Sequence, residues 1–222
     1  MPCFLAGEGC GRSLAAALGV PFYAFSHQQG HIAAVLFDAG RPDLTANRFL
    51  AWHLSGGTTE LLLVEPAGKL FTAHRIGGTS DISAGQLIDR TGQHLALPFP
   101  SGKALDELAM AAEEQPYFSV KAEALSFSFS GLENKMHALS DRGAPPETVA
   151  AFVLRSIAEA VKRVTAEAKK LYPDAPVVFS GGVCSNRLLR TECAVFDPVF
   201  SAPALSTDNA VGIAVLARMQ EG

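Results

Sequence analysis

The clearest pattern of apolar positions lies over residues 146–172. There Val149, Phe152, Val153, Ile157, Val161, Val164, Ala168 and Leu171 return every three or four residues, the spacing of a helix that buries one stripe. Pro145 and Pro146 suit its first turn, and Pro173 stands just past its end. Between residues 48 and 76 the pattern changes to strand type. Residues 49–54, 60–64 and 70–76 are predicted to form a three-stranded meander, joined by Ser55-Gly56-Gly57-Thr58-Thr59 and by the turn Pro66-Ala67-Gly68. Further on, the apolar run 176–179 predicts a buried strand. It is followed by Ser180-Gly181-Gly182, a helix near 186–193, a short strand near Val199 and a last helix over 208–219.

The first quarter of the chain is less regular. Residues 1–7 read as a strand entering a glycine-rich loop, as though the chain begins inside a domain. An Ala-rich helix over 14–18 is ended by Gly19 and Pro21. A strand over 22–25 precedes a helix over 26–37 that Ser26 can cap, with Ile32, Val35 and Leu36 on one stripe. Gly40 to Asn47 reads as a loop and a subdomain boundary. A helix is predicted over 83–97, and 98–143 is mixed and treated as an insertion. The order of elements is that of a ribonuclease H-like α/β unit, one complete lobe plus part of a second. Residues 1–46 form the remnant of an N-terminal lobe, and 47–222 a C-terminal lobe with its insertion near 98–145.

Composition narrows the class of partner. Of 222 residues 48% are apolar and one is Trp, enough for one sizeable core or two small ones. The net charge of -4 comes without a Lys/Arg stripe, so nothing in the composition marks a nucleic-acid surface. No apolar run is long enough to span a membrane and no leader pattern opens the chain, which sets the expectation of a cytoplasmic protein without a membrane partner. Cys3, Cys10, Cys184 and Cys193 lack C-x-x-C spacing and are expected to be buried free thiols.

Chemistry concentrates in three places. Ser55-Gly56-Gly57 and Ser180-Gly181-Gly182 each follow a predicted strand, where backbone amides without side-chain cover can approach a phosphate or ribose. His27 and His31, four residues apart on a helix, share one face and can reach one ion, for which divalent iron or zinc is suited. Gln28 stands where an H-E-x-x-H hydrolase carries its base, which disfavours a metalloprotease. Two histidines need a third ligand. Asp208, at the start of the last predicted helix, offers a carboxylate, with an N-cap as its alternative role.

Together these segments resemble the TsaD (glycoprotease, tRNA threonylcarbamoyladenosine transferase) family. The family's H-x-E-G-H resembles 27–31, its S-G-G-H-T resembles 55–59, its D-D-A-A-G-E-A-F-D-K resembles 81–90 and its Y-P-G-G resembles 99–102. F-S-F-S-G-L is identical at 127–132, G-G-V-x-x-N-x-x-L-R matches 181–190, and C-T-D-N-G is similar to 206–210. The resemblance implies an actin/Hsp70/sugar-kinase-like fold and a metal held by His27, His31 and Asp208. It also implies ATP or threonylcarbamoyl-adenylate lined by Ser55, Gly56, Gly57, Asp89, Gly102 and Asn186. The implied activity is transfer of a threonylcarbamoyl group to a tRNA adenosine beside the anticodon, with related subunits or a second copy as partners. Gln29 replaces the family's Glu, Thr58 its loop His, and its N-terminal phosphate segment has no counterpart. These departures are those of a divergent paralogue lacking that segment. The alternative reading is a non-catalytic, nucleotide-binding interaction module.

Overall fold

Strand β1 (Phe49–Leu54) is buried along its whole length and apolar everywhere except at His53, the pattern of a strand covered on both faces. The computed structural model, which describes residues 2–200, 202 and 209–221, places β1 inside a seven-stranded mixed sheet among the described residues. β2 (Thr59–Ala67) and β3 (Leu70–Thr79) follow it as the predicted antiparallel meander. On its other side β1 pairs in parallel with β6 (Val177–Ser180), which pairs in parallel with β7 (Val199–Phe200). Two short strands, β4 (Ala122–Glu123) and β5 (Ser126–Phe127), extend the sheet beyond β3, so that the order is β4-β5-β3-β2-β1-β6-β7.

Alternation along β1 sends its side chains to two cores. Leu50, Trp52 and Leu54 join the larger one, covered by α3 (Ala84–His94), α4 (Gly102–Met110), α5 (Ser130–Asp141), α6 (Pro146–Leu171) and α7 (Arg187–Cys193). On α6, Val149, Val153, Ile157, Val161 and Val164 are all within this core, each burial contributing about 1.5–3 kcal/mol. The Trp52 indole N–H donates to Thr165 Oγ1 of α6 at 2.8 Å, which gives its buried donor a partner. Phe49 and Ala51 face the smaller core, under α2 (His27–Asp38) and α8 (Ala210–Glu221). These helices approach closely: a Cβ on Gly212 would fall on the Gly30 carbonyl.

Several expectations are corrected. Residues 2–7 are not a strand but the start of helix α1 (Pro2–Leu18). A four-residue apolar run does not separate strand from helix by period, and here Pro2 suits a first helical turn while Glu8 and Arg12 pair at 2.7 Å across one turn. Residues 22–25 join no sheet among the described residues. Outside these corrections, the stretch of mixed pattern over 98–143 holds α4, β4, β5 and α5, and its Leu105, Phe127, Phe129 and Met136 belong to the larger core. Cys10 is exposed on α1 while Cys184 and Cys193 are buried as expected; the Cys3 side chain lies outside those described. Among the described residues no helix is long and apolar enough to cross a membrane.

Candidate metal and nucleotide site

The histidine helix begins where Ser26 caps it. Ser26 Oγ accepts from the Gln29 amide at 3.2 Å, and Gln29 Oε1 accepts from the Ser26 amide at 2.9 Å, a reciprocal capping box. Gln29 then donates through Nε2 to the Phe71 carbonyl of β3 at 2.7 Å, so the residue that replaces the family's Glu holds the helix to the sheet. One turn on, His27 and His31 bring their Nε2 atoms to 3.2 Å. A third imidazole meets them, that of His53 on β1: its ring centroid lies 4.6 Å from that of His31 and 5.7 Å from that of His27. One ring nitrogen from each of the three lies within 4.8 Å of the others.

His53 is 1% exposed and His31 8%. Burial, reinforced by His31 and His27, pushes the His53 pKa down to about 3, so this ring is neutral at physiological pH. Its Nδ1 contacts Ser180 Oγ at 3.1 Å, while its buried Nε2 makes no hydrogen bond. A neutral buried imidazole with an unused nitrogen, beside two further imidazoles, fits a divalent transition metal. Asp208 lies outside the described residues. Its chain neighbour Asn209 donates from Nδ2 to the His27 carbonyl at 2.8 Å.

The expected nucleotide-lining residues lie along a connected circuit. The loop after β1 closes through mutual bonds of Ser55 and Thr58, and a Cβ on Gly56 or Gly57 would meet nothing. Helix α3 abuts that loop: Ser83 Oγ donates to the Gly56 carbonyl at 2.7 Å, and Gly85 sits against Ser55 and Gly56 so closely that no Cβ would fit. Farther along α3, Asp89 accepts from the Ser101 amide at 2.9 Å and so anchors the start of α4 at Gly102. One turn into α4, Asp106 accepts from Asn186 Nδ2 at 2.7 Å and from Arg187. Asn186 also accepts from the Leu189 amide and caps α7. The circuit closes at Gly181, which adopts φ +94° with its α-carbon against the Leu54 carbonyl of β1.

The family model described as TsaD, tRNA N6-adenosine threonylcarbamoyltransferase, matches residues 1–215. The chain belongs to the TsaD family. Two curated relatives named tRNA N6-adenosine threonylcarbamoyltransferase are similar to it. That of Carboxydothermus hydrogenoformans is 31% identical over 95% of this chain and 65% of its own length, and that of Thermus thermophilus 35% over 98% and 67%. The chain thus spans about two thirds of the length of the relatives it matches. Full-length HypF in its phosphate- and nucleotide-bound form superposes with a TM-score of 0.72 at 15% identity, covering 95% of this chain and 38% of that one. The fold is accordingly of the actin/Hsp70/sugar-kinase type.

Two TsaD segments clamp each other in this chain. Asp81 accepts from the hydroxyls of Ser128 and Ser130 and from the amides of Phe129 and Ser130. Burial opposes the charge, yet these four donors hold the Asp81 carboxyl well below the usual carboxylate range. The clamp accounts for the conjunction of Asp81 with Phe127-Ser128-Phe129-Ser130. Buried thiols offer no nucleophile: burial, then Glu192, pushes Cys193 up to about 12.

His53 and Asp106 were missed by sequence reasoning. The available signal for His53 was one ionisable residue in an otherwise apolar strand. Asp106 carried none, because a helix-surface acid is common.

Proposed function

We propose that this chain binds iron or zinc through His27, His31 and His53, with Asp208 as a carboxylate donor. We further propose that Ser55, Gly56, Gly57, Asp89, Gly102 and Asn186 frame ATP or threonylcarbamoyl-adenylate, and that the two sites serve transfer of the threonylcarbamoyl group to a tRNA adenosine. The observation that carries this reading is the meeting of three imidazoles, one with an unused buried nitrogen, at the end of β1 and β6 from which both glycine loops spring.

Each part has a physical task. With no side chain at Gly56 or Gly57 and open space where one would stand, an anionic phosphate can approach this loop closely. Asp89, Gly102 and Asn186 act through the circuit that fixes α3, α4 and α7 around that loop. A divalent ion held by these side chains would polarise and orient an acyl oxygen. The adenosine amine then attacks the carbamoyl carbon, its new C–N bond forming as the bond to the adenylate oxygen breaks; AMP leaves and the amine gives up a proton. The acceptor is tRNA, with related subunits or a second copy as partners, in the cytoplasm.

The test is metal analysis and adenine-nucleotide thermal shift on the wild-type chain and on His31→Ala. Near-stoichiometric iron or zinc, lost in the variant, with a nucleotide-dependent rise in Tm, supports the reading. No metal and no shift overturn it. Both ligands bound, with no transfer to tRNA when related subunits are added, would make the chain a binding module instead.

A further inference from the structure

Ser180 ends β6 directly opposite His53 of β1, in the parallel register His53↔Ser180. Its hydroxyl is fully buried and makes two contacts: Oγ donates to the Trp52 carbonyl at 2.9 Å and lies 3.1 Å from His53 Nδ1. A serine hydroxyl carries one proton and a carbonyl can only accept. With that proton committed to Trp52, Oγ meets His53 through a lone pair, so the proton between them sits on Nδ1. The other ring nitrogen, Nε2, is buried and bonded to nothing. A proton there would be a buried donor without an acceptor, an arrangement that costs about 1–3 kcal/mol, whereas a bare lone pair there is what a metal takes.

We infer that Ser180 is a positioning residue that holds His53 in its Nδ1-protonated tautomer and so presents the Nε2 lone pair to the metal. This rests on the metal-site reading of the three histidines. It adds that the first residue of the second glycine loop sets the donor state of a ligand on the neighbouring strand, through one hydrogen bond. The imidazole ligands of metal sites commonly donate their second N–H to an acceptor in this way, and loss of such an acceptor typically weakens metal binding by about 10–100-fold.

Two measurements separate this inference from the reading beneath it. In the metal-free wild-type protein at neutral pH, long-range ¹H–¹⁵N correlation spectra of the His53 ring are expected to show the Nδ1–H form. In Ser180→Ala the Nε2–H form should appear. Zinc affinity, measured by competition with a chromophoric chelator, should fall about 10–100-fold in Ser180→Ala and recover in Ser180→Thr, which keeps the hydroxyl. A wild-type His53 protonated at Nε2 overturns the inference. So does unchanged zinc affinity in Ser180→Ala when His53→Ala loses it. Wild-type protein that takes no zinc sinks the metal reading alone, because the tautomer is read without metal. If Ser180→Ala fails to fold, the wild-type spectrum and Ser180→Thr still decide.

Discussion

Gln29 Nε2 donates to the Phe71 carbonyl at 2.7 Å, a bond that the Glu of the family motif could not make. Gln29 Oε1 completes the capping box with Ser26 at the same time, so both ends of the amide are used. Gln29→Glu keeps the cap but leaves the Phe71 carbonyl without its donor and sets a carboxylate against it. A loss of about 1–3 kcal/mol is expected, read as a fall in Tm of roughly 2–4 °C per kcal/mol for a chain of this size. Equal stability of the two proteins would show that the amide's second bond contributes nothing.

The Asp81 clamp sets a pH dependence. Its carboxyl is held below the unfolded value, so the folded state binds fewer protons and the contribution is fully present above pH of about 4. It is lost as pH falls through the folded-state value. Asp81→Asn should therefore destabilise the protein most at neutral pH, with the gap to wild type narrowing as solutions are acidified below about pH 4. Urea denaturation at pH 7 and at pH 3 checks this. A gap that widens on acidification would contradict the sign.

These two residues show what was legible beforehand and what was not. Period alone placed α6 and the meander, because their apolar stripes are long and meet the sheet directly. Ser26 was recognisable as a cap, and the motif segments could be ordered. His53 was not, since the histidine cluster unites positions separated by a loop, a 3₁₀ turn over Pro42–Ala46 and most of a strand. The pairing that brings it beside His31 is a property of the sheet. Nor could Gln29 be read as structural, because Phe71 lies in β3. The α1 error came from the opposite limit: a short apolar run with no neighbours to define its period.

Asp106 should matter more than its place on a helix suggests. It accepts from the mostly buried Asn186 and from Arg187, so Asp106→Ala leaves a buried amide without its acceptor and frees α4 from α7. A cost of about 1–3 kcal/mol is expected, together with weaker adenine-nucleotide binding in a calorimetric titration. Glu107→Ala, on the same helix with an exposed side chain, is the control and should leave both unchanged. Equal effects from the two would remove Asp106 from the circuit.

Gly181 closes that circuit, and its backbone permits no side chain. At φ +94° an added Cβ would enter the Leu54 carbonyl region of β1, adjoining both His53 and Ser55. Gly181→Ala combines a backbone at φ +94° and ψ 157° that essentially only glycine adopts, costing about 1–3 kcal/mol, with a clash relieved only by parting the ends of β1 and β6. Zinc and nucleotide binding should then fall together, since both sites rest on that junction. Gly68→Ala is the matched control. It has φ +62° and open space around its α-carbon, in the β2–β3 turn, so it carries the backbone strain without the clash. It should lower Tm and leave both affinities intact. Loss of one ligand without the other in Gly181→Ala would mean that the metal and nucleotide sites are supported separately.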